Sequence, residues 1–302
     1  MFMVIGDVHY KSTPPRRRKD NYGECILAKL RWIASTGKRL GVLGYIFTGD
    51  IFDTARPPLR DVHALMEVLA EFDASRVVCV GNHDVIGHNS NDLSGTGIGV
   101  LIEAGLLNPR TEYAQGWDSP VAVCAQHYHP DYEAGGLPYN FGSTRGPEIR
   151  VTHGTVLDHV PPWEGYTLVQ DIKIPDNCLI MNGHIHHPYE VGNFWNVGSL
   201  CRASIADQKV NHTPSVVVCR WHEDAWQVRR LPVPVEEDVW TEEIEIIEAR
   251  DNEAIDEFVT NLEGEEISLA QGRDAALEEL VKKGDYDESV RDTVFELLEV
   301  VG

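Results

Sequence analysis

The chain has 302 residues, 42% of them hydrophobic and 25% charged. At roughly 100 to 200 residues per domain, that is enough for about two folded domains with full cores. Glycine (26) and proline (16) are unexceptional, and no apolar run approaches the about 20 residues of a membrane-spanning helix, so collagenous, disordered and integral-membrane classes are excluded. The formal net charge of -22 argues against a uniformly basic nucleic-acid binder, but its distribution matters more than its sum. From residue 236 onward 23 acids face five bases, whereas residues 1–235 carry 25 acids and 21 bases.

The N-terminus has no basic region and reaches Asp7 within seven residues, unlike a secretory signal, so the expectation is a cytoplasmic protein without a membrane association. Short apolar runs then alternate with amphipathic stretches, the pattern of layered α/β architecture. Strands are predicted at residues 2–5, 44–48, 76–80, 121–125, 149–152 and 178–181, and helices at 22–36, 59–72 and 97–103. Residues 127–148, rich in Gly, Pro, Tyr and His, read as a long loop. Strands at 194–197, 215–221 and 226–231 follow too closely for intervening helices, which predicts antiparallel pairing. The expected fold is α/β, a two-sheet mixed β-sandwich flanked by helices. The six cysteines form no CxxC pair and are expected to be buried, reduced thiols.

The composition changes around Pro232-Val233-Pro234. Residues 1–232 are therefore read as the main, catalytic domain and residues 233–302 as a small acidic α/β module. Within the module the pattern predicts a β-α-β unit followed by helices at 274–282 and 288–300. The last helix carries Val290, Val294, Leu297, Leu298 and Val301, an apolar stripe that packs either within the chain or on a partner.

Five predicted strands end in residues of metal-binding type: Gly6-Asp7-Val8-His9, Gly49-Asp50-Ile51-Phe52-Asp53, Gly81-Asn82-His83-Asp84, Thr152-His153-Gly154 and Gly183-His184-Ile185-His186. Each alone reads as a turn or a structural histidine. In succession they supply the Asp, His and Asn set of a hard-to-borderline dinuclear site. In an extended segment side chains i and i+2 point the same way, so Asp7 with His9, and His184 with His186, can aim two ligands into one crevice. The strands' C-terminal ends are where open α/β sheets place their binding sites. The absence of thiolates argues for manganese, iron or zinc over a structural cysteine-zinc site.

This ordered set of DxH, GDxxD, GNHD, a lone His and GHxH resembles the calcineurin-like metallophosphoesterase superfamily over about residues 1–200. The resemblance implies the calcineurin-like fold and two divalent metal ions, Mn(II) first, with Fe, Zn or Mg as alternatives. It implies that Asp7, His9 and His186 serve one ion, that Asn82, His153 and His184 serve the other, and that Asp50 bridges them. His83 would contact the scissile phosphate or protonate the leaving oxygen, with Asp84 orienting it. Asp53 is either support behind these residues, a neighbour of the substrate, or an ordinary helix-start carboxylate. The implied reaction is phosphoester hydrolysis by a metal-activated water, with no covalent enzyme intermediate.

Residues 49–58 and 183–188, with Asn196 to Arg202 beyond them, further resemble SbcD-type (Mre-type) DNA repair nucleases. That likeness implies a DNA substrate cut by an exonuclease or endonuclease subunit, a homodimer formed through the 59–72 helix, and an SMC-like ATPase partner of the SbcC type bound by the C-terminal helices. Arg16, Arg17 and Arg18, with Lys19, read either as phosphate contacts or as a solvated loop. Arg56 and Arg202, and beside them Arg60 and Arg145, are further substrate-contact candidates. His127, Tyr128, His129 and Tyr132 either line a groove or sit on the surface. The acidic module opposes a DNA-capping role, because its charge would repel a duplex within a Debye length of about 8 Å unless turned away or covered. The alternative activity is a small-molecule nucleotide phosphodiesterase or phosphatase of the same superfamily.

Overall fold

The computed structural model describes residues 1–15, 18–87, 89–109, 119–130, 146–161, 165–202 and 212–235. The chain divides into two compact units, Met1–Arg16 with Asp20–Glu237, and Arg17–Lys19 with Asp238–Gly302. All elements below belong to the first unit. The strands and helices predicted beyond residue 235 lie outside the described residues.

In chain order the elements are β1 (Phe2–Ile5), α1 (Tyr22–Leu40), β2 (Gly44–Phe47), α2 (Leu59–Leu69), β3 (Ser75–Val78), α3 (Gly97–Glu103), β4 (Ala122–Gln126), β5 (Glu148–His153), β6 (Val156–Leu157), β7 (Thr167–Leu168), β8 (Cys178–Gly183), β9 (Tyr189–Val191), β10 (Phe194–Asn196), β11 (Ser215–His222) and β12 (Ala225–Pro232). One sheet has the order β12-β11-β1-β2-β3 and the other β4-β5-β8-β10-β9, while β6 and β7 pair by themselves. The sheets are mixed: β1, β2 and β3 run parallel, as do β4, β5, β8 and β10, and antiparallel strands complete the edges.

Alternation along β1 explains the layering. Phe2 and Val4 join Ile46, Val77, Val123, Ile149, Leu179 and Val217 in a core formed by strands of both sheets. Met3 and Ile5 face the other way, onto Ile26, Leu30 and Ile33 of α1 and Val62, Leu65 and Leu69 of α2. A strand buried on both faces must be apolar throughout, as β1 is. The α1 helix begins at Asn21, whose side chain accepts from Glu24 N at 3.4 Å. It runs to Leu40, four residues past the predicted end, because it stops only where Gly41 takes a left-handed conformation (φ 61°). The α3 helix matches its predicted span.

Three strands lack a legible signal: β6, β7 and β9 are two or three residues long, too short for a period. The predicted antiparallel pairing holds for β11 and β12, whose connecting Glu223 and Asp224 both have positive φ (51° and 58°), as a two-residue hairpin turn requires. It needs correction at β10, which lies parallel to β8 as well as antiparallel to β9. None of the six cysteines is in a disulfide, and Cys79, Cys178, Cys201 and Cys219 are buried. Among the described residues no helix is long and apolar enough to cross a membrane.

The apolar stripe of α2 is committed to its own chain. Leu65 is 1% exposed, while Leu59, at the helix start, is 84% exposed. Leu65→Glu should therefore unfold the protein, because an unpaired carboxylate would replace a packed leucine. Loss of the circular dichroism signal at 25 °C is the expected outcome; a folded variant that merely changes its oligomeric state would contradict this placement.

Candidate metal centre

Each motif sits just past the C-terminal end of a strand: Asp7 and His9 after β1, Asp50 after β2, Asn82 and His83 after β3, and His184 and His186 after β8, with His153 closing β5. Three of these residues occupy the left-handed region, His9 (φ 45°), Asp50 (φ 47°) and His184 (φ 86°), a conformation that costs about 1–3 kcal/mol for a residue with a side chain. Backbone bonds hold it in place. Val8 N and His9 N both donate to Asp50 O, at 3.0 and 2.9 Å, and His184 N donates to Asp7 Oδ2 at 2.8 Å.

The side chains converge in overlapping groups. Ligand atoms of Asp7, His9 and His186, of His9, Asp50 and His83, and of Asp50, His153 and His184 lie within 4.8 Å of one another in each group. Asn82 joins the last of them, its Oδ1 lying 2.9 Å from His153 Nε2 and 3.1 Å from His184 Nδ1. Asp50 stands between the two sides, with Oδ2 3.6 Å from His9 Nε2 and 3.3 Å from His153 Nε2. All seven side chains named above as metal ligands are thus neighbours.

The electrostatics suit cations. His9 Nε2 and His186 Nε2 point at each other 2.9 Å apart, and burial, reinforced by His186, holds His9 well below the usual imidazole value. Burial likewise pushes His184 down to about 3, with His153 adding to the effect. For Asp50, burial would raise the carboxyl, but the surrounding histidines, His153 foremost, outweigh it and hold it well below the ordinary range. Burial raises Asp7. A crowded set of imidazoles, two carboxylates and one amide oxygen, without thiolate, fits hard-to-borderline divalent ions.

The residues around these ligands complete the geometry. Thr48 O accepts from His153 Nδ1 at 2.9 Å and Thr48 Oγ1 donates to Asp7 Oδ1 at 3.1 Å. A histidine whose Nδ1 donates in this way presents Nε2 to a metal. Asn182 Nδ2 donates to Gly154 O at 3.0 Å and to Asn196 Oδ1 at 3.0 Å, and Asn196 Nδ2 donates to Ile185 O and His187 O at 2.6 and 2.8 Å. Sequence reasoning passed over Thr48 and Asn182. Their one available signal is that each directly precedes a motif glycine.

Asp84 is buried, and burial, with Asp50 nearby, pushes its carboxyl up to about 7. Its oxygens accept from Ile51 N (3.0 Å), Phe52 N (3.5 Å) and Gly81 N (3.0 Å), so it staples two motif loops together. The His83 ring is held by a different group: Nδ1 donates to Asp53 O at 2.8 Å. Asp53 thus supports His83 through its carbonyl, while its carboxylate pairs with Lys11 Nζ at 2.9 Å.

The substrate-contact candidates are dispersed. Arg18 is buried, at 6% exposure, which departs from the solvated-loop reading. Arg56 is exposed and Arg202 half-buried, while Arg16, Arg17 and Arg145 lie outside the described residues. Arg60 is exposed and pairs with Asp61 at 3.4 Å. Tyr128 is fully buried, its ring edge-on to His153 at 6.4 Å, and so is a core residue instead of a groove or surface one. His127 Nδ1 accepts from Val80 N at 3.1 Å, and burial pushes this imidazole down to about 4. His129 is exposed and Tyr132 lies outside the described residues.

A family model described as calcineurin-like phosphoesterase matches residues 1–188, more than half of the chain. The chain belongs to the calcineurin-like phosphoesterase family. Members of this metal-dependent hydrolase family typically bind two divalent ions, in keeping with the clusters above. No curated protein matches the phosphoesterase by sequence. Among solved structures it is similar to a 5'-nucleotidase precursor from Thermus thermophilus (12% identity, TM-score 0.45, covering 77% of this chain and 54% of that one). It is also similar to an archaeal phosphodiesterase (12%, TM-score 0.36, covering 76% and 99%). A 5'-nucleotidase described as putative, from Staphylococcus aureus, is another (16%, TM-score 0.42, covering 79% and 56%). The phosphoesterase spans about half the length of the two nucleotidases.

Two measurements test the centre. A Cβ at Gly81 would lie 2.5 Å from Asp50 N and closer still to the Asp50 carboxylate, so Gly81→Ala should displace Asp50. The variant should retain less than about half of the wild-type metal content, because its carboxylate ligand moves off geometry; full metal occupancy would contradict this packing. In the metal-free chain burial pulls the His153 imidazolium down, but the Asp50 carboxylate raises it by more, to about 9 against an ordinary 6.5. A cation entering below about pH 9 must therefore displace a proton. Metal affinity should climb as the pH rises from 6.5 toward about 9. Calorimetry in buffers of different ionisation enthalpy should register proton release, and pH-independent affinity across that window would contradict a charged His153.

Proposed function

We propose that this phosphoesterase is a dinuclear-metal hydrolase of small phosphoesters, with nucleotides and related phosphodiesters as the substrate class. The observation that carries this is the position of Asp50, whose Oδ2 lies 3.6 and 3.3 Å from histidines of two separate ligand groups. In this reading Asp7, His9 and His186 hold one ion, Asn82, His153 and His184 hold the other, and Asp50 is shared. Two bound divalent ions supply a water of lowered pKa and neutralise phosphate oxygens. The chain's own contribution beyond the ligands is His83. Its Nδ1 donates to the Asp53 carbonyl; in this reading the protonated ring gives its Nε2 proton to the leaving oxygen and is left neutral with the proton on Nδ1. Residues 1–232 are the catalytic domain on this reading, and residues 233–302 an accessory acidic module.

A small substrate is favoured by charge. Duplex DNA binding rests on several phosphate contacts from arginine and lysine, yet Arg18 is buried and Lys11 is paired with Asp53. A second reading, an SbcD-type nuclease working as a homodimer with an ATPase bound to its C-terminal helices, is favoured by the sequences of residues 49–58 and 183–188.

The deciding experiment is a substrate panel with Mn(II): bis(4-nitrophenyl) phosphate, cyclic nucleotides, nucleoside monophosphates, single-stranded DNA and linear duplex. Turnover of the small nucleotide esters is expected. Degradation of DNA without turnover of those esters would favour the second reading, and no hydrolysis by protein with both ions bound would sink both. For esters with an alkyl leaving group, which needs a proton, His83→Ala should lower kcat by about 10²–10⁴-fold, the range of a lost general acid, with metal content unchanged.

A further inference from the structure

The loops that follow β1 and β2 are zipped together beyond the metal ligands. Tyr10 N donates to Ile51 O at 3.0 Å and Asp53 N to Tyr10 O at 3.4 Å, so Tyr10 and Phe52 form one rung of parallel pairing. Tyr10 and Phe52 are buried, whereas their neighbours Lys11 and Asp53 remain partly exposed at 31% and 29% and close the zipper through a 2.9 Å ion pair. One residue further on, Ser12 N donates to Asp61 Oδ2 at 3.1 Å, which fastens the same loop to the first turn of α2. An isolated ion pair this exposed is worth at most about 1 kcal/mol of fold stability, so its sharper consequence is geometric. The Asp53 carbonyl accepts from His83 Nδ1 at 2.8 Å, and the His83 ring stands edge-on to His9 with centroids 4.9 Å apart.

We propose that Lys11 is a positioning residue for His83. By anchoring the Asp53 carboxylate it fixes the turn at residues 51–53 and keeps the Asp53 carbonyl on His83 Nδ1. Because a carbonyl only accepts, Nδ1 keeps its proton throughout: the protonated ring gives its Nε2 proton to the leaving oxygen, is left as the neutral Nδ1–H tautomer, and regains a proton on Nε2 from solvent. The catalytic half of this inference rests on the phosphoester-hydrolase reading; the geometric half, a single His83 tautomer, does not.

The test pairs a spectroscopic with a kinetic readout. In the metal-free protein, ¹⁵N imidazole spectra, assigned with His83→Ala, should show His83 as one Nδ1–H tautomer in the wild type and in Lys11→Arg, and as a tautomer mixture in Lys11→Met. With metal bound, Lys11→Met should lower kcat roughly tenfold for a phosphodiester with an alkyl leaving group, which needs a proton, and by less than about threefold for a 4-nitrophenyl ester, which does not. KM should stay constant, Lys11→Arg should restore kcat, and in a His83→Ala background Lys11→Met should cost nothing further. An unchanged tautomer in Lys11→Met overturns the inference. So does an equal loss in the His83→Ala background, and a raised KM at constant kcat would make Lys11 a phosphate contact instead. If the metal-loaded wild type hydrolyses neither ester, the function reading fails while the tautomer measurement still decides the role of Lys11.

Discussion

The rest of the molecule depends on one electrostatic constraint: two buried carboxylates and a crowd of imidazoles share a space that protons alone balance poorly. Asp7 and His153 are completely shielded from solvent, and Asp50 and His9 nearly so. Removing a charged group from water is costly unless a partner of opposite sign stays in place. His153 supplies such a partner for Asp50, at 3.3 Å. His9 Nε2 and His186 Nε2 meet at 2.9 Å, and His9 Nε2 also lies 3.6 Å from Asp50 Oδ2, so donor atoms are concentrated on this side as well. Divalent ions would use the lone pairs that these groups crowd together, which is why the donor set reads as a metal centre on physical grounds as well as by family.

The scaffold is built to keep those groups from relaxing apart. Thr48, Asn182 and Asn196 spend their hydrogen bonds on the loops that carry ligands, and the Asp84 carboxylate gathers the amides of Ile51, Phe52 and Gly81. The left-handed backbones of His9, Asp50 and His184 are the strain that this framework sustains. Preorganisation of this sort favours catalysis by electrostatics, because the dipoles need not reorient as charge develops.

Much of this was legible in the residues themselves. β1, β2, β5 and β8 are buried throughout, β1 and β2 with almost wholly apolar residues, and the ligands follow at the strand ends, so the sequence places strand and motif together. The i, i+2 spacing of Asp7 with His9 and of His184 with His186 is equally local. What escaped notice depends on distant neighbours. Tyr128 sits in a stretch rich in loop formers, yet the chain there pairs with Val80 and buries the ring. Arg18 lies in a run of bases, yet is buried. Asp84 follows His83 directly, yet its carboxylate turns to the backbone amides of Ile51, Phe52 and Gly81. None of these outcomes leaves a period or a spacing to read.

The hydrogen bond between His9 and His186 spans 177 positions of chain. During synthesis, the first half of the pocket is made long before its complement leaves the ribosome, and contacts of such separation form late because closing the intervening chain costs entropy. The nascent protein therefore passes through a stage in which Asp7, His9 and Asp50 exist without the histidines of β5 and β8. A cluster drawn from both sheets can be complete only in the finished fold.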